Sequence, residues 1–135
     1  MKASPVIICV EDSEVSSWLA NLLANEGITS NAIQSVQGVL QRDYSSLDII
    51  FLQTRTDVAL LVRTVYELTF GRDANQKPMV IVLASGDQIQ LNPSLCGWEI
   101  DGRAALAALF TLGSPELPRS IPLYVRRLIA GGHMR

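Results

Sequence analysis

Four short apolar runs that alternate with helical patterns constrain the fold of this chain more than any other feature. The runs cover residues 6–10, 28–33, 49–52 and 80–83. Three of them are continuously apolar rather than alternating in polarity, which is typical of strands buried on both faces of a parallel sheet. The second run, residues 28–33, is more polar, so we expect it nearer to an edge of the sheet.

The segments between these runs show the spacing of apolar side chains that is typical of amphipathic helices. Four such stripes cover residues 15–23, 36–40, 58–65 and 121–128. Asp12 or Ser13 is expected to cap the first helix, and Gly27 is expected to end it. Pro122 is placed in the first turn of the last helix, where a missing N–H group costs little.

Strands that alternate with helices predict right-handed βαβ units and a parallel sheet. We expect an α/β, flavodoxin-like fold of three layers, with five parallel strands in the order 2-1-3-4-5 and helices on both faces. A fifth strand is expected over residues 109–112, with a helix over residues 103–112 as the alternative. The structure of residues 86–105 is left open. One domain is expected over residues 1–130, followed by a loose tail over residues 131–135.

Composition and charge exclude several classes of function. The 135 residues suit a single domain, and a net charge of −2 supplies no basic footprint for nucleic acid. No apolar run approaches the roughly 18 residues that span a bilayer, and the start does not resemble a signal peptide. Two cysteines are too few for a disulfide framework. We therefore expect a cytoplasmic domain without nucleic-acid or membrane partners.

Residues that carry common enzyme chemistry are scarce in this chain. His133 is the only histidine and lies near the end of the chain, so it cannot serve a triad with a structured base. There is no cluster of Cys and His at metal-binding spacing, no Walker loop and no Gly-x-Gly-x-x-Gly motif. We expect no enzymatic activity, no cofactor and no bound metal.

Two segments resemble the receiver domains of bacterial response regulators. The first apolar run followed by Glu11 and Asp12 is similar to the first strand and acidic pair of that family, and the helix ending at Gly27 fits it too. The run over residues 48–53 is similar to the third strand. The resemblance implies a CheY-like version of the flavodoxin-like fold, in which an aspartate at the end of the third strand takes up phosphate.

Gln53 stands where the resemblance implies that aspartate. A glutamine has no carboxylate and cannot be the nucleophile that forms an acyl-phosphate. The resemblance also implies a threonine hydroxyl after the fourth strand. That position aligns with Ala84, or with Ser85 if the register slips by one residue.

The lysine of the family is also missing. Its Lys-Pro pair after the fifth strand maps onto Ser114 and Pro115, and a serine cannot supply the charge. The chain has only two lysines, Lys2 near the amino terminus and Lys77 before the fourth strand. We expect neither of them to reach the site.

The acidic pair allows two interpretations. Glu11 and Asp12 are either the remainder of a Mg²⁺ site, or a solvated residue and a helix cap. Two carboxylates without the third would hold Mg²⁺ weakly. The residues of the degenerate phosphoacceptor pocket are thus Glu11, Asp12, Gln53, Ala84 and Ser114.

The resemblance implies a pseudo-receiver that acts in signalling or localisation by protein–protein interaction. Its host would be a larger regulator or a ParA-like pilus-localisation ATPase, with this domain at the amino terminus. Two alternatives stay open. One is a true phosphoacceptor that uses a displaced aspartate, Asp57 or Asp12, although Asp57 more plainly caps the third helix. The other is a small flavodoxin-like ligand-binding domain.

We expect the partner to bind through the carboxyl-terminal half of the chain. The family's output face would here include Phe110, Tyr124, Arg126 and Arg127. Aromatic and arginine residues are enriched at interface hot spots. The apolar stretch over residues 104–110 is either a core strand or a partner patch. A protein partner or a homodimer would cover this surface.

Overall fold

A computed structural model of the chain describes residues 6–33, 35–45, 47–54, 58–85, 99–100, 103–104, 108–112 and 115–133. The strands are β1 (Val6–Val10), β2 (Ser30–Ala32), β3 (Ile49–Gln53), β4 (Met79–Ser85), β5 (Glu99–Ile100), β6 (Arg103–Ala104) and β7 (Ala108–Leu112). The helices are α1 (Ser13–Ala24), α2 (Val36–Leu40), α3 (Val58–Thr69) and α4 (Leu117–His133), with a 3₁₀ turn at Ala74–Gln76.

Five strands form one parallel sheet in the order β2-β1-β3-β4-β7. This confirms the predicted order 2-1-3-4-5, with β7 as the fifth strand. The strand interpretation of residues 109–112 is therefore correct, and the helix alternative is wrong. The two-residue strands β5 and β6 form a separate antiparallel pair that the sequence analysis did not predict.

The sheet separates two apolar cores. Successive side chains of a strand point to opposite faces, so Ile7 packs in the core beneath α2 and α3, whereas Ile8 packs beneath α1 and α4. The central strand β3 is buried along its whole length. Burial on both faces explains why the apolar runs are continuous in the sequence.

Helix α1 begins and ends as predicted. The side chain of Asp12 accepts a hydrogen bond of 3.0 Å from the backbone nitrogen of Glu14, which caps the helix. At the other end Gly27 has a positive φ of 76°. The nitrogens of Gly27 and Ile28 donate to the carbonyls of Ala24 and Leu23, the bond pattern of a Schellman motif.

Helix α4 differs from the prediction at both ends. It begins at Leu117, so Pro122 lies in its interior and not in its first turn. The proline ring removes one donor of the helix at that point. The helix extends to His133, so residues 131–133 are helical where a loose tail was predicted. No helix within the described ranges combines the length and the apolar character needed to cross a membrane.

Candidate functional site

The carboxyl ends of β1 and β3 lie side by side, with Val10 opposite Gln53. The backbone nitrogen of Glu11 donates to the carbonyl oxygen of Gln53 over 3.2 Å, which extends this pairing by one residue. Parallel strands end at the same edge of a sheet, and ligands of open α/β sheets bind at that edge. The structure therefore brings together Glu11, Asp12 and Gln53, as the sequence predicted.

Gln53 is buried, with 7% of its surface exposed. Its side-chain oxygen Oε1 accepts a hydrogen bond of 3.1 Å from the backbone nitrogen of Asp12. Only the oxygen of an amide accepts such a bond, so this contact fixes which way the amide is turned. The side chain thus links the end of β3 to Asp12, the N-cap residue of α1.

The two carboxylates of the acidic pair are engaged by donors of the protein itself. Oε2 of Glu11 accepts a hydrogen bond of 2.9 Å from the hydroxyl of Thr54. Oδ1 of Asp12 accepts the capping bond from Glu14, which confirms the interpretation of Asp12 as a helix cap. Among the residues that the structure describes, no group of three or more His, Cys, Asp or Glu side chains is placed to hold a metal ion. Asp57 lies outside the described residues.

Ala84 and Ser85 end β4 at the same edge of the sheet. Ala84 is 1% exposed, and its methyl group packs in the core on the α2 and α3 side, where it offers no hydroxyl. Ser85 follows it, half-buried and opposite Leu112 of β7. Ser114, at the position of the family's lysine, lies outside the described residues.

Lys77 lies at the opposite edge of the sheet from Gln53, as predicted. It precedes the seven-residue strand β4, whereas Gln53 lies near the carboxyl end of that strand. At roughly 3.3 Å per residue, about 20 Å separate the two residues along the strand direction. Its ammonium nitrogen lies 5.7 Å from the centre of the Phe70 ring. Lys2 lies outside the described residues.

The predicted interface residues divide into two environments. Phe110 of β7 and Tyr124 of α4 contact each other edge to face, with 5.7 Å between ring centres and an interplanar angle of 84°. Both are half-buried against the core on the α1 and α4 side, and burial raises the pKa of Tyr124. This pair therefore packs α4 against the edge strand.

The side chain of Arg126 is partly exposed and also contacts the segment that follows α1. Its Nη2 donates to the carbonyl oxygen of Glu26 over 3.1 Å and lies 3.6 Å from Oε1 of the same residue. Arg127 is exposed. Leu123, one helical turn before Arg127, is 57% exposed and is not among the interface residues predicted from the sequence.

A cavity of about 210 Å³ lies beside Gln53 and was not predicted from the sequence. Its lining residues are Cys9, Val10, Glu11, Val36, Leu52, Gln53, Thr54, Leu60, Leu61 and Thr64. These residues come from β1, β3, α2 and α3, so no local pattern marks them as a group. The one local signal is the pair of polar residues, Gln53 and Thr54, that follows a continuous apolar strand.

No protein-family model matches this sequence, and no curated protein matches it. Solved structures do resemble the fold. A response regulator from Colwellia psychrerythraea matches with a TM-score of 0.67 and 17% identity, over 93% of this chain and 96% of that chain. A sensor protein from Polaromonas sp. JS666 matches with a TM-score of 0.61 and 16% identity, over 93% and 95%. A response regulator receiver protein from Burkholderia phymatum matches with a TM-score of 0.61 and 15% identity, over 90% and 94%. This chain therefore has the CheY-like fold of response-regulator receiver domains.

Proposed function

We propose that this domain is a pseudo-receiver, which accepts no phosphoryl group and acts in cytoplasmic signalling or localisation by binding a protein. The observation that carries the proposal is the position of Gln53. It is buried at the carboxyl end of β3, and its side-chain oxygen is bonded to the Asp12 nitrogen at 3.1 Å. An amide at this position has no oxygen that can attack phosphorus as a carboxylate does.

The surroundings of Gln53 support the same conclusion. Ala84 presents a methyl group to the core, and Lys77 lies about 20 Å away at the other edge of the sheet. No hydroxyl at Ala84 and no ammonium from Lys77 would stabilise a phosphoryl group. Asp12, one of the two candidates for a displaced acceptor, is used as the cap of α1. These contacts favour a pseudo-receiver over a phosphoacceptor.

The exposed face of α4 is the surface that we assign to the partner. Leu123 and Arg127 are four residues apart and therefore neighbours on the helix surface. Both are exposed, and an apolar side chain beside an arginine is a combination that suits an interface. Arg126 is bonded to Glu26 and has a structural role beside any role in binding. The partner is either a second copy or another part of a larger signalling regulator or ParA-like pilus-localisation ATPase.

Incubation with acetyl phosphate and Mg²⁺, followed by intact-mass measurement, tests the absence of phosphotransfer. We expect an unchanged mass. A stoichiometric phosphate adduct would overturn the proposal. A receiver domain with an intact aspartate, treated in parallel, shows that the reagent is active.

Analytical ultracentrifugation tests the binding surface. We expect the wild type to associate, and the double variant Leu123→Glu, Arg127→Glu to associate at least about tenfold more weakly. The matched control is Val62→Glu, Arg63→Glu, which makes the same chemical change on two exposed residues of α3. Circular dichroism checks that both variants fold. A monomeric wild type at high concentration would contradict self-association, and unchanged affinity of the α4 variant for a partner would contradict the assignment of the face.

A further inference from the structure

The cavity beside Gln53 has an apolar interior. Cys9, Leu52 and Leu61 are buried core residues that line it. Thr64 also lines it, but its hydroxyl donates to the carbonyl oxygen of Leu60 over 2.7 Å and is satisfied within helix α3. Burial raises the pKa of the Cys9 thiol, which therefore stays neutral. A molecule in this cavity would meet mainly methyl groups and a neutral sulfur atom.

Gln53 supplies a polar group that the fold does not use completely. The residue is more than nine-tenths buried, and Oε1 is occupied by the Asp12 nitrogen. Within the described part of the chain, its amide nitrogen Nε2 makes no hydrogen bond, although it carries two donors. In the described part of the chain every fully buried side-chain nitrogen or oxygen has a hydrogen-bond partner, so Nε2 must be in contact with solvent. A ligand that accepts from Nε2 would take the place of water there.

Glu11 supplies the second polar group. It follows β1 next to the end of β3, lines the same cavity, and is exposed at its rim. Oε2 of its carboxylate accepts from the hydroxyl of Thr54, and the two oxygens of a carboxylate together offer about four acceptor positions. The cavity thus has an apolar interior, one amide donor and one anionic acceptor.

We propose that this cavity binds a small neutral molecule with an apolar body and a hydroxyl or carboxamide head. Such a head accepts from Gln53 and donates to Glu11 at the same time. A carboxylate head would be repelled by Glu11, and an ammonium head has no lone pair to accept from Gln53.

The volume sets the size of the ligand. A cavity of about 150 Å³ with apolar walls is known to bind benzene, so about 210 Å³ holds one ring and a short polar head. Sites for larger ligands measure roughly 300 to 1,000 Å³. A nucleotide or a flavin would not fit.

A titration followed by ¹H–¹⁵N NMR tests the inference with four probes of one shape. Benzyl alcohol and benzamide carry the proposed heads, whereas benzoate and benzylamine carry the excluded ones. We expect the first two to bind with dissociation constants of about a millimolar or below, a range suited to so few atoms. The shifts should centre on the cavity residues. The charged probes should bind at least about tenfold more weakly.

Two variants test the site itself. Leu60→Trp should fill the cavity and abolish binding, because Leu60 lines it and is exposed enough to accept a larger side chain. Val62→Trp is the matched control, since Val62 is on the same helix with a similar exposure, 38% against 36%, and does not line the cavity. Gln53→Glu should weaken binding of benzyl alcohol at least about tenfold, because it replaces the amide donors by an acceptor.

Three results would overturn the inference. The first is that neither neutral probe binds at saturating concentration. The second is that all four probes bind equally well. The third is that Leu60→Trp and Val62→Trp have equal effects on binding. The inference goes beyond the proposed function and does not depend on it. A protein that fails to bind these probes can still be a pseudo-receiver, and a phosphorylated protein can still bind them.

Discussion

Oε1 of Gln53 lies 3.1 Å from the backbone nitrogen of Asp12, and this hydrogen bond joins the end of β3 to the cap of α1. An aspartate at position 53 would be one methylene group shorter and would not reach the same nitrogen without a shift of the backbone. The glutamine therefore stabilises one arrangement of the site, in which both strand ends and the first turn of α1 are held together.

Gln53→Asp alone should not give efficient phosphorylation by acetyl phosphate. The position that aligns with the family's lysine would still be Ser114, and Lys77 lies at the far end of β4. We expect only a trace of adduct by intact mass. The triple variant Gln53→Asp, Ala84→Thr, Ser114→Lys restores all three positions and should give more. Complete phosphorylation of the single variant would contradict this prediction.

Mg²⁺ should bind no tighter than about millimolar, the weak end for sites with few carboxylates. Glu11 and Asp12 are already hydrogen-bonded to Thr54 and Glu14. Isothermal titration calorimetry measures the affinity, and Asp12→Asn serves as the comparison. Micromolar binding that disappears in Asp12→Asn would show that the acidic pair is a metal site.

Arg72→Lys should lower the free energy of unfolding by about 1 to 2 kcal/mol. Nη1 and Nη2 of Arg72 donate to the carbonyl oxygens of Arg42 and Leu40 over 2.8 and 2.7 Å, at the end of α2. The guanidinium also lies 5.1 Å from the centre of the Tyr44 ring. Urea unfolding measures the loss. Arg63→Lys, on the exposed face of α3, should change stability by less than about 0.5 kcal/mol.

The stability contributed by Tyr44 should be lost at alkaline pH. Burial raises the pKa of Tyr44 from its ordinary value of 10 to about 12, and its hydroxyl donates to the Val39 carbonyl over 2.8 Å. The folded state keeps this proton longer than the unfolded state does. The contribution of Tyr44 to the free energy of unfolding is therefore complete below pH 10, and it falls as the pH rises towards about 12.

Urea unfolding of Tyr44→Phe at two pH values checks this prediction. At pH 8 the variant should be less stable than the wild type by about 1 kcal/mol. At pH 11 the gap should be smaller, because only the wild type loses stability as Tyr44 ionises. Tyr66→Phe makes the same chemical change at an exposed tyrosine and serves as the matched control. A gap for Tyr44→Phe that stays constant would contradict the prediction.

Gly27→Ala should destabilise the domain by about 1 kcal/mol. The φ of Gly27 is +76°, and a Cβ added there would meet no atom within 4 Å. The cost would thus come from the backbone conformation and not from a clash. Gly27→Asn should cost less, because asparagine tolerates this conformation better. Thermal unfolding of both variants gives the comparison, and equal losses would point to another cause.

Local patterns in the sequence were sufficient to place the strands of the main sheet, the Asp12 cap and the end of α1 at Gly27, whereas the strand order came from the flavodoxin-like fold expected for strands that alternate with helices. Continuous apolar runs report burial on both faces, and caps depend on residues within one turn, so both are readable from neighbours in the chain. The absence of a carboxylate at Gln53 is equally a fact of the sequence. The position of Lys77 could also be predicted, because a residue that precedes β4 lies at the amino-terminal end of that strand, away from Gln53.

Only the tertiary structure decided the remaining features. The hydrogen bond from Arg126 to Glu26 joins residues that are 100 positions apart in the chain. Helix α4 continues through Pro122 because Leu117 and Ile121 are buried against the sheet, and their packing outweighs the lost donor. The bond from the Asp12 nitrogen to Gln53 joins the cap of α1 to β3, and the cavity beside it is lined by residues of β1, β3, α2 and α3. Such contacts depend on how distant segments pack, which the period of a single segment does not encode.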